Sequence, residues 1–207
     1  GRASFEKSNQ LHVEMEHDTM TLTADKIIIA TGSKSAPLEQ LPYNGRNIIS
    51  STEALAFESV PASLAIVGAG YIAVELSHVY QKLGAQVTMI QRSPRILNHL
   101  DESVSHIMAA QLQKFGVNIV SNTEVMKGDI SEKNVKLWLK SKEGKESQLD
   151  VEKVLVATGR LPYVEGLGLG NTHVKLDESG YIPVDNKCQT SDPKILAIGD
   201  ITGPPLL

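Results

Sequence analysis

One cysteine, Cys188, stands among the 207 residues. That scarcity excludes an internal disulfide, a redox Cys-x-x-Cys pair and any cysteine-rich zinc cluster; it suits a reducing compartment, so a cytoplasmic chain is expected and Cys188 is read as structural. Long apolar runs are also missing. The longest, around Ile27, Ile28, Ile29 and Ala30, falls far short of the ~20 residues that cross a bilayer. No charged-then-apolar leader follows Gly1, so neither a membrane span nor a secretory precursor is expected. Lys and Arg total 20 against 24 Asp and Glu, for a formal net charge of -4. They are scattered rather than clustered, which leaves no electrostatic footprint for nucleic acid. The six histidines show neither a metal-ligand spacing nor a nucleophile for a triad. No metal ligand and no catalytic residue is assigned, and His78 and His106 are expected on helix surfaces. What remains is 41% apolar and 21% charged, the composition of an ordinary folded chain of one to two domains.

What the chain does have is a weak internal repeat. Residues 25–33 read DKIIIATGS and residues 152–160 read EKVLVATGR: a charge pair, an apolar strand, then Ala-Thr-Gly. Each is preceded by alternation that suits antiparallel strands, at residues 11–15 and 135–139. Two similar domains are therefore expected to end at these repeats, and only one of them can be complete in this chain. Between the repeats the order is strand, helix, strand, helix, strand, which predicts a parallel sheet with right-handed crossovers. Strands are expected at 64–67, 86–90 and 117–120. Helices are expected at 71–83, stopped by Gly84, and from an Asp101 N-cap to Gly116. The second helix is expected to bury Val104, Ile107, Met108, Leu112 and Phe115 on one face. A meander follows Ser121 up to Val156. The glycine-rich stretch 166–170 reads as a connector, because no helix follows it. A hairpin about Ser179 and Gly180 and a last strand at 195–198 complete the chain.

The chemistry-bearing motif is Gly68-Ala69-Gly70-Tyr71-Ile72-Ala73, a G-x-G-x-x-A that directly follows an apolar strand and opens an amphipathic helix. That context is what a dinucleotide fingerprint requires. Gly68 permits the tight turn, Gly70 lets a pyrophosphate approach the backbone, and Ala73 keeps helix and strand close. The free N–H groups and the helix dipole then face the diphosphate. About 20 residues on, an NAD site wants Asp or Glu to read the ribose. This chain has Gln91-Arg92-Ser93-Pro94-Arg95. Gln91 removes the repulsion of a 2'-phosphate, while Arg92, with Arg95 as a further candidate, offers charge-assisted hydrogen bonds to it. NADP(H) is expected over NAD(H).

These residues bring the chain close to a known family. The stretches IIIATGS, SSTEAL, VPASLAIVGAGYIAVEL, VATGRLPY, EGLGLGNTHV and AIGD resemble the FAD-dependent pyridine nucleotide-disulfide oxidoreductases over nearly the whole chain. SSTEAL, EGLGLGN and GPPLL look most like the dihydrolipoamide dehydrogenases; GAGYIAVEL with Arg92 looks more like the NADPH-using glutathione reductases. A second phosphate-gripping arginine of that group would fall on Asn98, a departure from the pattern.

The resemblance implies an α/β architecture: a Rossmann-like NAD(P)-binding domain with a parallel sheet and β-meander, flanked by remnants of a second, similar FAD-binding domain. Residues 1–33 would end the first FAD-domain segment, 34–60 connect, 61–160 bind NAD(P), and 161–207 return into the FAD domain. Glu75 is similar to the family glutamate near nicotinamide and ribose, and Tyr71 to the residue that covers the flavin until nicotinamide displaces it. Asp200 matches the aspartate that holds the ribityl chain of FAD, and Gly32 and Gly159 sit in the paired Ala-Thr-Gly turns. The family's Cys-x4-Cys, second G-x-G-x-x-G and C-terminal His-Glu pair do not occur in this sequence. The expectation is therefore a middle piece, inactive alone, of a homodimeric enzyme that moves reducing equivalents between NAD(P)H, FAD and a small-molecule or lipoyl-type disulfide. A glutathione or mercuric reductase-type enzyme and a free-standing nucleotide-sensing module are the alternatives.

Overall fold

The computed structural model describes residues 1–206. In chain order the strands and helices begin with β1 (Arg2–Lys7), β2 (Gln10–Glu14), β3 (Thr19–Thr23), β4 (Ile27–Ile29), β5 (Ser33–Ser35), β6 (Ile48–Ile49) and α1 (Ser51–Ala54). There follow β7 (Ser63–Val67), α2 (Tyr71–Lys82), β8 (Gln86–Ile90), α3 (Glu102–Lys114) and β9 (Asn118–Val120). The chain continues through β10 (Thr123–Ile130), β11 (Val135–Ser141), β12 (Glu146–Val151), β13 (Lys153–Val156), β14 (Arg160–Pro162) and β15 (Ile195–Ala197). Two compact units emerge, one of Ser35–Gly159 and one of Gly1–Lys34 with Arg160–Leu207. Leu207, the last residue of the GPPLL stretch, lies outside the described residues.

The Ser35–Gly159 unit is built on a five-stranded parallel sheet of order β6-β13-β7-β8-β9. Alternation along each strand divides its two faces. Leu64, Ile66, Val87, Met89 and Leu155 enter a core shared with α1, α2 and α3. Ala65, Val67, Ile90, Val154 and Val156 enter another, closed by Val125, Val135, Leu137, Leu139 and Val151 of the antiparallel β10-β11-β12 meander. A parallel strand covered on both faces needs a continuous apolar run, which is what β7 carries. The stretch 34–60, expected as a connector, supplies β6 to this sheet. Its SSTEAL motif has a physical purpose as a capping box. Ser50 Oγ accepts the Thr52 N–H at 3.2 Å, and Glu53 Oε2 accepts Ser50 N–H at 2.8 Å and Ser50 Oγ–H at 2.6 Å. The Ser50 hydrogen bonds hold the Glu53 carboxyl below its usual range.

One expectation about the helices is corrected. On α3 only Leu112 of the five expected core residues is fully buried; Val104, Ile107 and Phe115 are exposed. The helix turns Ser105 and Ala109 inward beside Leu112 and Met108, and Ser105 Oγ–H satisfies the Ile96 carbonyl at 2.6 Å. A small residue lets the helix lie close to the sheet, whereas Ile107 there would hold it off. Phe115 instead meets the edge of His78, with ring centroids 4.8 Å apart, and lies under Lys82. His78 is thus half-buried, not a free surface side chain, while His106 is exposed beside Glu102.

The other unit repeats the meander-then-parallel-strand theme. Antiparallel β1-β2-β3 precedes β4, which pairs in parallel with β15. Phe5, Ile29, Ile182, Ile195, Ala197 and Ile201 form its core. The glycine-rich stretch is a connector laid against β1: a Cβ on Gly168 would stand 2.8 Å from the Phe5 carbonyl oxygen, and Phe5 N–H donates to Leu167 at 2.7 Å. Ser179 and Gly180 lie in a tight turn without flanking strands: the Asp177 carboxylate takes the Ser179 and Tyr181 N–H groups, both at 2.9 Å, and Asp177 N–H donates to the Tyr181 carbonyl at 2.9 Å. Cys188 is a free thiol in a left-handed turn position, φ 60°.

Asp192 ties this unit together. Buried, it accepts Ser8 Oγ–H at 2.5 Å, His173 N–H at 3.0 Å and Lys194 N–H at 2.9 Å. Burial pushes its carboxyl up, but these donors together outweigh burial and hold it below the usual range. A depressed folded pKa contributes stability above the unfolded value, near 3.9, that is lost as pH falls through the folded one. Asp192→Asn is expected to lower stability at neutral pH by roughly 1–3 kcal/mol. It should also flatten the acid limb of a denaturation series carried from about pH 5 down through the lowered folded pKa.

Candidate functional site

In the Ser35–Gly159 unit the fingerprint residues gather at the carboxyl ends of β7, β8 and β13, where open parallel sheets bind their ligands. Gly68 turns the chain with φ 120°. A Cβ there would stand 2.2 Å from the Ala157 carbonyl oxygen, so only glycine lets β7 leave the sheet against the end of β13. The turn is pinned by Gly68 N–H to the Ile90 carbonyl at 2.9 Å and by Leu97 N–H to the Ala69 carbonyl at 2.8 Å. These two bonds fasten the glycine turn to the loop that follows β8.

Gly70 is different. Its backbone is ordinary, and a Cβ built on it meets nothing within 4 Å. The fold does not need this glycine, and the open space above it is where a diphosphate would approach. Gly70 is also the N-cap of α2, contributes no side-chain cap, and is followed by a first turn without an acidic residue. By contrast, Asp101 caps α3 and Ser50 caps α1. The orphan N–H groups of α2 are thus left for an anion. Ala73 is fully buried against the sheet. Tyr71 and Glu75, one helical turn apart, are both exposed, and Ile72 is half-buried.

The loop after β8 is only partly as expected. Gln91 is buried, and its carboxamide is spent on the loop: it donates to the Arg95 carbonyl at 3.0 Å and accepts from Ile96 N–H at 3.1 Å and Ser121 Oγ–H at 2.9 Å. Gln91 therefore shapes the loop and supplies no negative charge. The Arg92 side chain is 82% exposed, 3.7 Å from Glu124. Arg95 is a feature that spacing alone left secondary: its Nη1 is buried without a hydrogen bond, 3.9 Å from Glu102. Gly159, φ 153°, stands with open space at its Cβ position.

In the other unit Gly32, φ 69°, and Gly199, φ 76°, each leave open space at the Cβ position. Ile198 N–H donates to the Ile29 carbonyl at 3.0 Å, which zips β15 to β4 just before Asp200. Asp200 begins beside Gly199 in a short 3-10 turn. Its carboxylate accepts Ser33 Oγ–H at 2.5 Å, with Arg160 Nε 3.8 Å away. No motif spacing marks Ser33 or Arg160; the signal for them is their matching place at the ends of the two repeats. Among the described residues there is no group of His, Cys, Asp and Glu placed to hold a metal, and no helix is long and apolar enough to cross a membrane.

A parallel sheet with a glycine turn feeding an uncapped helix defines a Rossmann-like α/β protein. The chain belongs to the pyridine nucleotide-disulphide oxidoreductase family, whose model matches residues 2–207. It is 36% identical to the dihydrolipoyl dehydrogenase of Thermus scotoductus, over 100% of this chain and 44% of that protein. It is 37% identical to the mitochondrial dihydrolipoyl dehydrogenase of Caenorhabditis elegans, over 90% of this chain and 38% of that protein. Its fold matches the HOCl-induced flavoprotein disulfide reductase RclA of Escherichia coli with a TM-score of 0.87, at 28% identity, over 100% of this chain and 46% of that one. The chain thus spans under half the length of these relatives.

The two fingerprint glycines are expected to separate fold from binding. Gly70→Val should fold like the parent, by circular dichroism and melting, and show no measurable dinucleotide binding by calorimetric titration. Gly68→Ala should lose about 2–3 kcal/mol of stability, since its methyl group strikes a backbone carbonyl in a left-handed conformation.

Proposed function

We propose that this chain is the dinucleotide-binding portion of a flavoprotein disulfide oxidoreductase of the dihydrolipoyl dehydrogenase kind, and that its nucleotide is NADP(H). Family membership and the names of its relatives support the first part. The open, uncapped α2 terminus behind Gly70 is the observation that carries nucleotide binding. The second part rests on the β8 loop. With Gln91 turned inward and neutral, no carboxylate of the fingerprint kind repels a 2'-phosphate, and Arg92 stands exposed at the same place. The surface pair between Arg92 and Glu124 is weak enough for a phosphate dianion to displace.

FAD fits the other unit. A carboxylate acceptor, Asp200, stands beside Gly32 and Gly199, whose missing side chains leave room for a ligand at the carboxyl ends of β4 and β15. Residues 1–33 and 161–207 are accordingly read as parts of an FAD-binding domain. Two-electron transfer between a reduced nicotinamide and a disulfide is the chemistry that a bound flavin supplies. The chain's own part is to bind and orient. The α2 N–H groups hold the diphosphate, Arg92 selects the phosphorylated ribose, and Tyr71 and Glu75 offer an aromatic face and a carboxylate to the nicotinamide end. Gly159 keeps the turn after β13 open. We read the whole protein as a cytoplasmic homodimer acting on a small-molecule or lipoyl-type disulfide.

Side-by-side fluorescence titrations test the nucleotide. NADPH is expected to bind roughly tenfold tighter than NADH. Arg92→Ala should remove that margin and leave NADH binding unchanged, while Glu124→Gln, which frees Arg92, should tighten NADPH a further few-fold. Equal or NADH-favoured binding by the unaltered chain returns Arg92 to the solvated surface. For the activity, the full-length polypeptide should carry flavin absorbance between about 400 and 500 nm and reduce lipoamide with NADPH. A colourless full-length protein that still binds NADPH would mark a nucleotide-sensing module instead.

A further inference from the structure

The two ends of the internal repeat meet in one hydrogen-bonded chain. Ser33 and Arg160, 127 residues apart in sequence, occupy the same place after their respective Ala-Thr-Gly turns. Arg160 Nε–H donates to Ser33 Oγ at 2.6 Å, Arg160 Nη2–H donates to the Ser33 carbonyl at 2.7 Å, and Ser33 Oγ–H donates to Asp200 Oδ2 at 2.5 Å. The Arg160 and Asp200 side chains are 21% and 14% exposed.

The direction of every proton in this chain is forced. A guanidinium has donors and no acceptor, so the Ser33 hydroxyl must receive from Arg160 with a lone pair. Its single proton is then left for the carboxylate. The fork of Arg160 grips both the hydroxyl and the carbonyl of one residue, which fixes the Ser33 rotamer and through it the plane of the Asp200 carboxylate. An ionised carboxylate has about four acceptor positions, and the bond on Oδ2 fixes the orientation of the group. The open space at Gly32 and Gly199 lies at the same strand ends.

We propose that Ser33 and Arg160 are a positioning pair that fixes the Asp200 carboxylate to accept hydroxyl protons from the polyol chain of a bound flavin. This rests on the flavoprotein reading above. Neither residue touches the flavin in this assignment; both act through Asp200. The proposal separates them from residues that merely stabilise the unit, because their effect on flavin affinity passes through one carboxylate.

A double-mutant cycle on the full-length polypeptide tests it, reading the dissociation constant of FAD from flavin fluorescence as apoprotein is reconstituted. Ser33→Ala and Arg160→Met are each expected to weaken FAD about tenfold in the parent and less than twofold in an Asp200→Asn background. Ser33→Thr, which keeps the hydroxyl, should stay within about twofold of the parent. Arg160→Lys, which keeps the charge but loses the fork, should behave like Arg160→Met and serves if that variant fails to fold. Equal losses in both backgrounds, or lowered melting temperatures with unchanged FAD affinity, would overturn the positioning role while leaving the flavoprotein intact. A parent protein that takes up no FAD at all would overturn both.

Discussion

The close approach of Gly68 to the Ala157 carbonyl governs the Ser35–Gly159 unit. Because no side chain stands between them, β7 can end against β13 and turn sharply. The turn in turn aims the N-terminus of α2 at the carboxyl edge of the sheet. The same turn is bonded to Ile90 and Leu97, so the loop carrying Gln91, Arg92 and Arg95 is held beside it. The exposed α2 terminus and the position of the β8 loop are two consequences of one backbone contact. That contact also separates the glycines: the fold requires Gly68 and leaves the space above Gly70 open.

The sheet can support such an edge because it is buried on both faces by different partners, helices on one side and an antiparallel meander on the other. Rigid strands fix where the loops begin, and the loops carry the polar chemistry. The preceding meander and parallel strand recur in the other unit, where β1-β2-β3 leads into β4. The repeat therefore extends beyond Ala-Thr-Gly to a supersecondary plan used twice. The residue after each turn has diverged, to Ser33 in one copy and Arg160 in the other, and the two are complementary: a hydroxyl that needs a donor and a guanidinium that can only donate.

Much of this was legible in the chain. Apolar runs, glycine stops and the G-x-G-x-x-A spacing placed α2, β7 and β8 closely, since each is a local pattern with a local cause. The α3 face was misread because periodicity reports which residues are apolar and not which are small enough for the helix to approach the sheet. The expected hairpin about Gly180 is a tight turn closed by Asp177 through both its carboxylate and its backbone N–H. SSTEAL was recognisable as a motif before its capping box gave it a reason.

The sequence by itself determined the local arrangement: a strand, a glycine turn and a helix without a side-chain cap, in that order, leave backbone N–H donors at the helix start wherever the rest of the chain goes. It also determined that the residues directly after β8, Gln91 to Arg95, include no carboxylate. Only the tertiary structure decided that Gln91 points inward and Arg92 outward, because that choice depends on Ser121 and Ile96 satisfying a buried amide. Only the tertiary structure joined Ser33, Arg160 and Asp200. Hydrogen bonds between residues far apart in the chain follow from how strands pair, and strand pairing is a property of the whole unit rather than of any window of sequence.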